Sequence, residues 1–219
     1  MGFWLEVAGQ HPGPVLELAC GTGRLTLPLA AALTGDGTRP GTIVGLDRDP
    51  NMLHLACRRA AALAPPGRPR FVAADMRHFA LAARFALVFV GYNSLQLLNG
   101  PDEMLACLTE ARRHLAAGGV VGVEVTDFQQ GAADGGAATT DVLLGAADGI
   151  RLYGDLVHDL AGRSSRYRRR FVGDGWTVED EVVVRSLDRG ELQRLLAQAG
   201  LTATGWWRTG ATVRVVAAP

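Results

Sequence analysis

The sequence predicts an α/β protein with a doubly wound, mostly parallel seven-stranded sheet, a terminal antiparallel hairpin and a small antiparallel β insertion after the fifth strand. Three observations predict it. Five short apolar runs each lead into a helix-like stretch in chain order, a glycine turn follows the first run, and the alternation stops after Asp127 and returns near Asp188. Residues 1–219 are read as one domain, with 128–186 as a loop plus β insertion that covers a substrate.

The first strand is Val15 to Ala19, broken by Gly21-Thr22-Gly23, after which Leu25, Leu27, Leu29, Ala30 and Leu33 recur at helical spacing. Gly41 to Leu46 is the second strand, ending at Asp47. A helix follows from Pro50 to about Leu63, with proline at a favourable first-turn position. Arg70 to Ala73 and Phe85 to Val90 are the third and fourth strands, both expected to be covered by helices. The unbroken apolar run of the fourth suits a strand buried on both faces.

Pro101 opens a helix with a stripe of Met104, Leu105, Leu108, Ala111 and Leu115. Gly118-Gly119 is expected to end it before a fifth strand, Val120 to Val125. Residues 129–149, rich in Gly, Ala, Asp and Thr, are expected to form a mobile loop. Runs at 150–159, 164–172 and 176–186 predict an antiparallel sheet, with Gly173-Asp174-Gly175 as a hairpin turn. A helix from Asp188 to Gln198 is capped by Asp188 and stopped at Gly200, and runs from Leu201 to Arg208 and Thr212 to Val216 close the chain as a hairpin.

The chain has 219 residues, 48% of them hydrophobic, enough for one sizeable core. Lys+Arg and Asp+Glu both number 22, so no net field attracts a polyanion, and nucleic-acid and membrane partners are disfavoured. Cys20, Cys57 and Cys107 are widely spaced and indicate neither a disulfide frame nor a zinc site. With an N-terminus lacking a basic start and an apolar run, the expectation is a cytoplasmic protein.

In a doubly wound sheet a ligand sits at the carboxyl ends of the strands near the switch in strand order. The first such loop, Glu17 to Arg24, bares backbone at Gly21 and Gly23. A dinucleotide-binding turn needs a third glycine where this chain has Thr26, so a pyrophosphate ligand is disfavoured.

VLELACGTGR resembles the first motif of class I (seven-stranded, Rossmann-like) S-adenosylmethionine (SAM)-dependent methyltransferases, small-molecule type. GLDRDPNML, AADMR, FALVFVGYNSLQLL and HLAAGGVVGVEV resemble the later motifs in order and spacing, over residues 13–126. The resemblance implies S-adenosyl-L-methionine as cofactor. Asp47 suits the ribose hydroxyls, Glu17 the ammonium end, Asp75 the adenine amino group and Met76 the ring. Ala19, where the family usually has its first glycine, is expected to narrow the pocket without closing it. Arg24, Arg48, Met52, Gly91 and Asn93 complete the expected cofactor site, with Cys20 in its turn as a packing residue.

Gly91-Tyr92-Asn93-Ser94 lacks the Asn/Asp-Pro-Pro-aromatic element of nucleic-acid and glutamine amino-methyltransferases, the Pro-Cys of cytosine C5 enzymes and the acids of metal-dependent catechol enzymes. A metal-free enzyme methylating an amine or hydroxyl of a small metabolite is therefore expected. Tyr92 and His158 are the catalytic candidates, the former orienting the acceptor and the latter acting as base. NSLQLL resembles the NSLQHL run of bacterial small-molecule methyltransferases, with Leu97 in place of the histidine. Arg166, Arg168 and Arg170 share a face, with Asp155, Asp159, Glu179, Asp180 and Glu181 on neighbouring strands, which predicts cross-strand pairing and not nucleic-acid binding. A homodimer is a further expectation. The alternatives are an RNA or protein methyltransferase, or a non-catalytic SAM-binding module.

Overall fold

The computed structural model describes residues 2–34, 43–127, 139–147, 149–159 and 161–219. A seven-stranded sheet is built from β1 (Val15–Leu18), β2 (Ile43–Asp47), β3 (Arg70–Ala73), β4 (Phe85–Val90), β5 (Leu115–Thr126), β10 (Thr202–Thr209) and β11 (Thr212–Ala218). Their order is β10-β11-β5-β4-β1-β2-β3. β1 to β5 run parallel, and β11 lies antiparallel between β5 and β10. Chain order reverses at β1, which pairs with both β2 and β4, so the tips of these strands open on one crevice.

β1 and nearly all of β4 are buried, as their unbroken apolar runs require. α4 (Pro101–Arg113) and α5 (Arg189–Gln198) cover one face through Met104, Leu108, Leu192 and Leu196. α1 (Gly2–Gln10) and α2 (Thr26–Thr34) cover the other. α3 (Pro50–Ala60) follows β2, with the Asp49 side chain capping it by accepting from the Asn51 amide at 2.8 Å. On α5 Asp188 and Glu191 form a reciprocal capping box.

Four features depart from the sequence expectation. α1 was not anticipated: Trp4 stacks on Phe89 at 4.6 Å and fills the space that a side chain at Gly122 would take. No helix joins β3 to β4. Asp75 instead caps a turn by accepting from the Arg77 amide at 2.9 Å, and Leu81 donates to His114 Nε2 at 3.1 Å, which ties the connection to the end of α4. α4 stops at Arg113 and β5 starts at Leu115, its register shifting around Gly118, which has φ +72°. Finally, Thr139–Ala147 is a strand, β6, and not a loop; residues 129–138 and 148 of the expected loop lie outside the described residues.

β6 to β9 form the second sheet, antiparallel throughout, with β7 (Ile150–Asp159), β8 (Ser164–Gly173) and β9 (Trp176–Arg185) close to their expected spans. Two of the three arginines expected to pair across neighbouring strands do so, Arg166 and Arg168, whereas Arg170 reaches Asp141 of β6. Arg166 and Arg168 meet Glu181 at 3.4 Å, Arg169 meets Asp180 at 2.8 Å on the other face, and Arg170 bonds Asp141. No helix among the described residues is long and apolar enough to cross a membrane.

Candidate functional site

Residues after β1 turn with Ala19 at φ 54°, Gly21 at 54° and Gly23 at 79°. Gly21 donates its amide to Asp47 Oδ2 at 2.7 Å, the Asp49 amide donates to Asp47 Oδ1 at 2.9 Å, and the Gly23 amide donates to the Cys20 carbonyl at 3.0 Å. The two glycine amides that would cradle a phosphate are thus already engaged. The two glycines serve different ends. A Cβ at Gly21 would stand in open space, so the turn presents bare backbone there; at Gly23 it would meet Leu27 Cγ at 2.9 Å, a helix-packing constraint.

Beneath the turn Glu17 is 4% exposed, and its carboxyl accepts from the hydroxyl of fully buried Thr26. Burial raises its pKa to about 8, against the lowering effect of the Thr26 bonds. Thr26, the residue that excludes the dinucleotide pattern, is therefore also the anchor of Glu17. Cys20 is buried at 3% exposure, and burial pushes its thiol far up, so it packs the turn without offering a thiolate.

A cleft of about 210 Å³ opens at the tips of β1, β2 and β3, bringing Ala19, Asp47, Arg48, Asp75 and Met76 together. Leu97, Leu98, Asn99 and Glu103 close its far side. Arg77 clasps Asp75 with two bonds, Nε to Oδ1 at 2.9 Å and Nη2 to Oδ2 at 2.6 Å, and reaches Glu103 at 2.7 Å. That clasp holds the Asp75 carboxyl down to about 2, so it is ionised and can still accept from a ligand amino group. Met52 is 42% exposed on α3, outside the cleft lining.

The loop after β4 carries two adjacent left-handed residues, Tyr92 at φ 48° and Asn93 at 62°. The Arg24 guanidinium covers the Tyr92 ring at 4.2 Å. β5 supplies the restraints: Glu124 accepts from the Tyr92 amide at 3.2 Å while ion-paired to Arg214 at 2.6 Å, and Thr126 donates to Asn93 Oδ1 at 2.9 Å. Fully buried Gln96 accepts from the Thr126 amide at 2.7 Å and donates to the carbonyls of Thr126 and Arg185 at 2.8 and 2.6 Å. It staples the root of the antiparallel sheet to this loop. A Cβ at Gly91 would meet Leu25 at 2.5 Å, so this glycine answers to core packing.

Glu124, Thr126 and Gln96 escaped sequence reasoning. Their only signal was a polar residue inside an otherwise apolar strand or turn. His158 lies in the antiparallel sheet, its Nδ1 2.7 Å from Ser165 Oγ across the β7–β8 pair, and does not line the cleft. A larger cavity of about 370 Å³ between α4, α5 and the β8–β9 root holds none of the expected residues. Of its charged walls, Arg163 is bonded to Asp188 and Glu191.

Residues 15–119 match a family model described as a methyltransferase domain. The chain is 30% identical over 177 residues to the dTDP-3-amino-3,6-dideoxy-alpha-D-glucopyranose N,N-dimethyltransferase of Streptomyces fradiae, covering 80% of this chain and 58% of that relative's length. Among solved structures, the CcbJ methyltransferase of Streptomyces caelestis superposes with a TM-score of 0.79 at 22% identity, over 98% of this chain and 87% of that one. SAM-bound CalS10, an amino pentose methyltransferase of Micromonospora echinaspora, gives 0.70 at 23% identity, over 99% and 89%.

Proposed function

We propose that this chain, whose residues 15–119 match a methyltransferase-domain family model, is a metal-independent SAM-dependent methyltransferase acting on an amine or hydroxyl of a small metabolite. The observation that carries the reading is the use of the glycine turn. Its Gly21 and Gly23 amides are spent on Asp47 and Cys20, and the adjoining cleft is walled by carboxylates. Such a site repels a pyrophosphate and suits a cationic adenosyl ligand.

The residues present fit SAM. Asp47, whose two oxygens each accept one backbone amide and retain acceptor capacity, would hold the ribose hydroxyls, Asp75 would hold the adenine amino group, and Met76 would pack on the ring. Ala19, Gly21 and Arg48 would border the adenosyl part, and an ammonium end held above Glu17 would favour loss of the proton that burial keeps there. When bound, SAM supplies an electrophilic methyl carbon that an acceptor lone pair attacks in line, leaving S-adenosylhomocysteine. The protein's own share is alignment and exclusion of water. Tyr92, fixed by Glu124 below and Arg24 above, orients the acceptor; Asn93, fixed by Thr126, shapes the cofactor's reacting end; His158, on the second sheet and outside the cofactor cleft, takes the acceptor's proton where the acceptor extends from the cleft to that sheet.

Similarity to an amino-sugar N,N-dimethyltransferase supports an amine on a small polar ring as acceptor. A cytoplasmic setting and a homodimer belong to the same proposal. Calorimetry with SAM and S-adenosylhomocysteine tests the site: micromolar binding is expected, weakened at least tenfold by Asp47→Ala. Wild-type affinity in Asp47→Ala would refute the assignment. An acceptor screen over small amines and phenols, read by S-adenosylhomocysteine release, tests the reaction; turnover is expected for an amine, with kcat reduced in His158→Asn.

A further inference from the structure

The cavity of about 370 Å³ between α4, α5 and the root of β8 and β9 shares no lining residue with the cofactor cleft, and Tyr92 does not line it either. Its volume suits a small ligand, for which sites run from about 300 to 1,000 Å³. Met104, Leu187 and Leu195, all buried, give it an apolar wall.

The polar wall is unbalanced. Arg163, Arg185 and Arg194 line it with a single acid, Glu191. Arg163 is neutralised by Glu191 and by Asp188. Among the described residues the side chains of Arg185 and Arg194 have neither an ion pair nor a hydrogen bond. Arg194 is folded back along α5, since a Cβ at Gly190, one turn earlier, would stand 3.6 Å from its Nη1. A second observation is the hydroxyl of Ser186, a residue only 5% exposed. The Ser186 amide donates to the Arg163 carbonyl at 2.7 Å, closing the root of the sheet, but among the described residues its buried hydroxyl has no partner. Buried polar groups left in this state are exceptions in folded proteins and are costly.

We propose that this cavity is a second ligand site, separate from the cofactor cleft, that takes a small organic phosphate. The phosphoryl group lies between Arg185, Arg194 and the Ser186 hydroxyl, whose hydrogen turns to suit an acceptor; the organic body lies on Met104, Leu187 and Leu195. Two unpaired guanidinium groups match the charge of about −1.5 to −2 that a phosphomonoester carries near neutral pH, and their planar donor sets suit its oxygens. A carboxylate would leave one arginine unmatched, and a cation would be repelled. The site also sits on a joint of the fold, because Gln96 donates to the Arg185 carbonyl at 2.6 Å from the turn after β4. A ligand gripping Arg185 therefore braces the root of the second sheet and stabilises the folded chain by mass action.

Calorimetry on the full chain with phenyl phosphate tests this. Submillimolar binding is expected near neutral pH, weakened at least tenfold by Arg194→Gln and about threefold by Ser186→Ala. Inorganic phosphate is expected to bind at least tenfold more weakly, and phenol not at all. In an amide NMR titration the shifts should fall on Ser186, Leu187 and Leu195 and spare Gly21 and Asp75. No binding up to about 10 mM phenyl phosphate, unchanged affinity in the Arg185→Gln, Arg194→Gln double variant, equal affinity for inorganic phosphate, or shifts confined to the glycine turn overturns the proposal. Both arginines are exposed, so the double variant is expected to fold and to keep its SAM affinity; should it lose its fold, Arg194→Gln alone is read by the same criterion. Failure here leaves the cofactor site untouched, because SAM calorimetry reports on that separately.

Discussion

At Glu17 a carboxyl sits where water cannot reach it, so in the ligand-free protein it holds its proton to a pKa of about 8, well above the ordinary value of 4.5. A raised carboxyl pKa favours the fold fully below about 4.5, and this contribution is lost as pH rises to about 8, where the unfolded chain has already ionised and the folded chain must follow. We expect the melting temperature of the ligand-free protein to fall across that window, and Glu17→Gln to flatten the fall; scanning calorimetry from pH 5 to 8.5 checks it, and parallel slopes would sink it. Ala19 gives a second case. Its φ of 54° strains any residue with a Cβ. Ala19→Gly should gain about 0.5–1 kcal/mol once the extra freedom of an unfolded glycine is set against the relieved strain, a rise of about 1–4 °C in melting temperature. Both residues stood out in the sequence as members of the glycine turn. The proton on Glu17 and the strain at Ala19 did not, because burial and dihedral angle depend on neighbours far along the chain.

Elements are held to one another by few polar contacts, and Gln96 makes the most consequential set. Its amide joins the end of β5 to the end of β9, bonding Thr126 and Arg185 from within the turn that follows β4. Gln96→Ala would leave three partly buried backbone groups without this partner, which should cost about 3 kcal/mol, at the lower end of about 1–3 kcal/mol for each group. Hydrogen exchange should rise in Thr126 and in the root of β8 and β9 before it rises in β1 or β4; uniform exchange across the chain would contradict this coupling. The same scale explains why the helix expected between β3 and β4 does not form. Asp75 spends its carboxylate on Arg77 and a local turn, which competes with helix formation and leaves the carboxylate in the cleft. α1 was hidden for the opposite reason. Nine residues carry little periodic signal, and only the notch at Gly122 shows what Trp4 fills.

Across the whole molecule, balanced charge is matched by pairing. The arginines of β8 that tempt one towards nucleic acid meet Glu181, Asp180 and Asp141, so we expect no tRNA binding in filter assays at 150 mM salt and no steep salt dependence at lower salt. Saturable binding at 150 mM would restore an RNA-directed reading. The parallel core, most of its strand spans, the glycine turn and the closing hairpin were legible in the amino-acid order, because they rest on short-range rules: apolar period, turn chemistry and helix caps; the start of β5 at Leu115 was not. What only the tertiary structure decided was the company each residue keeps. The engagement of the Gly21 amide by Asp47, the anchoring of Glu17 by Thr26 and the restraint of Tyr92 by Glu124 all join residues distant in sequence. Local pattern encodes which element a residue joins, whereas the contacts between elements are set by packing, where burial and geometry alone determine which groups meet.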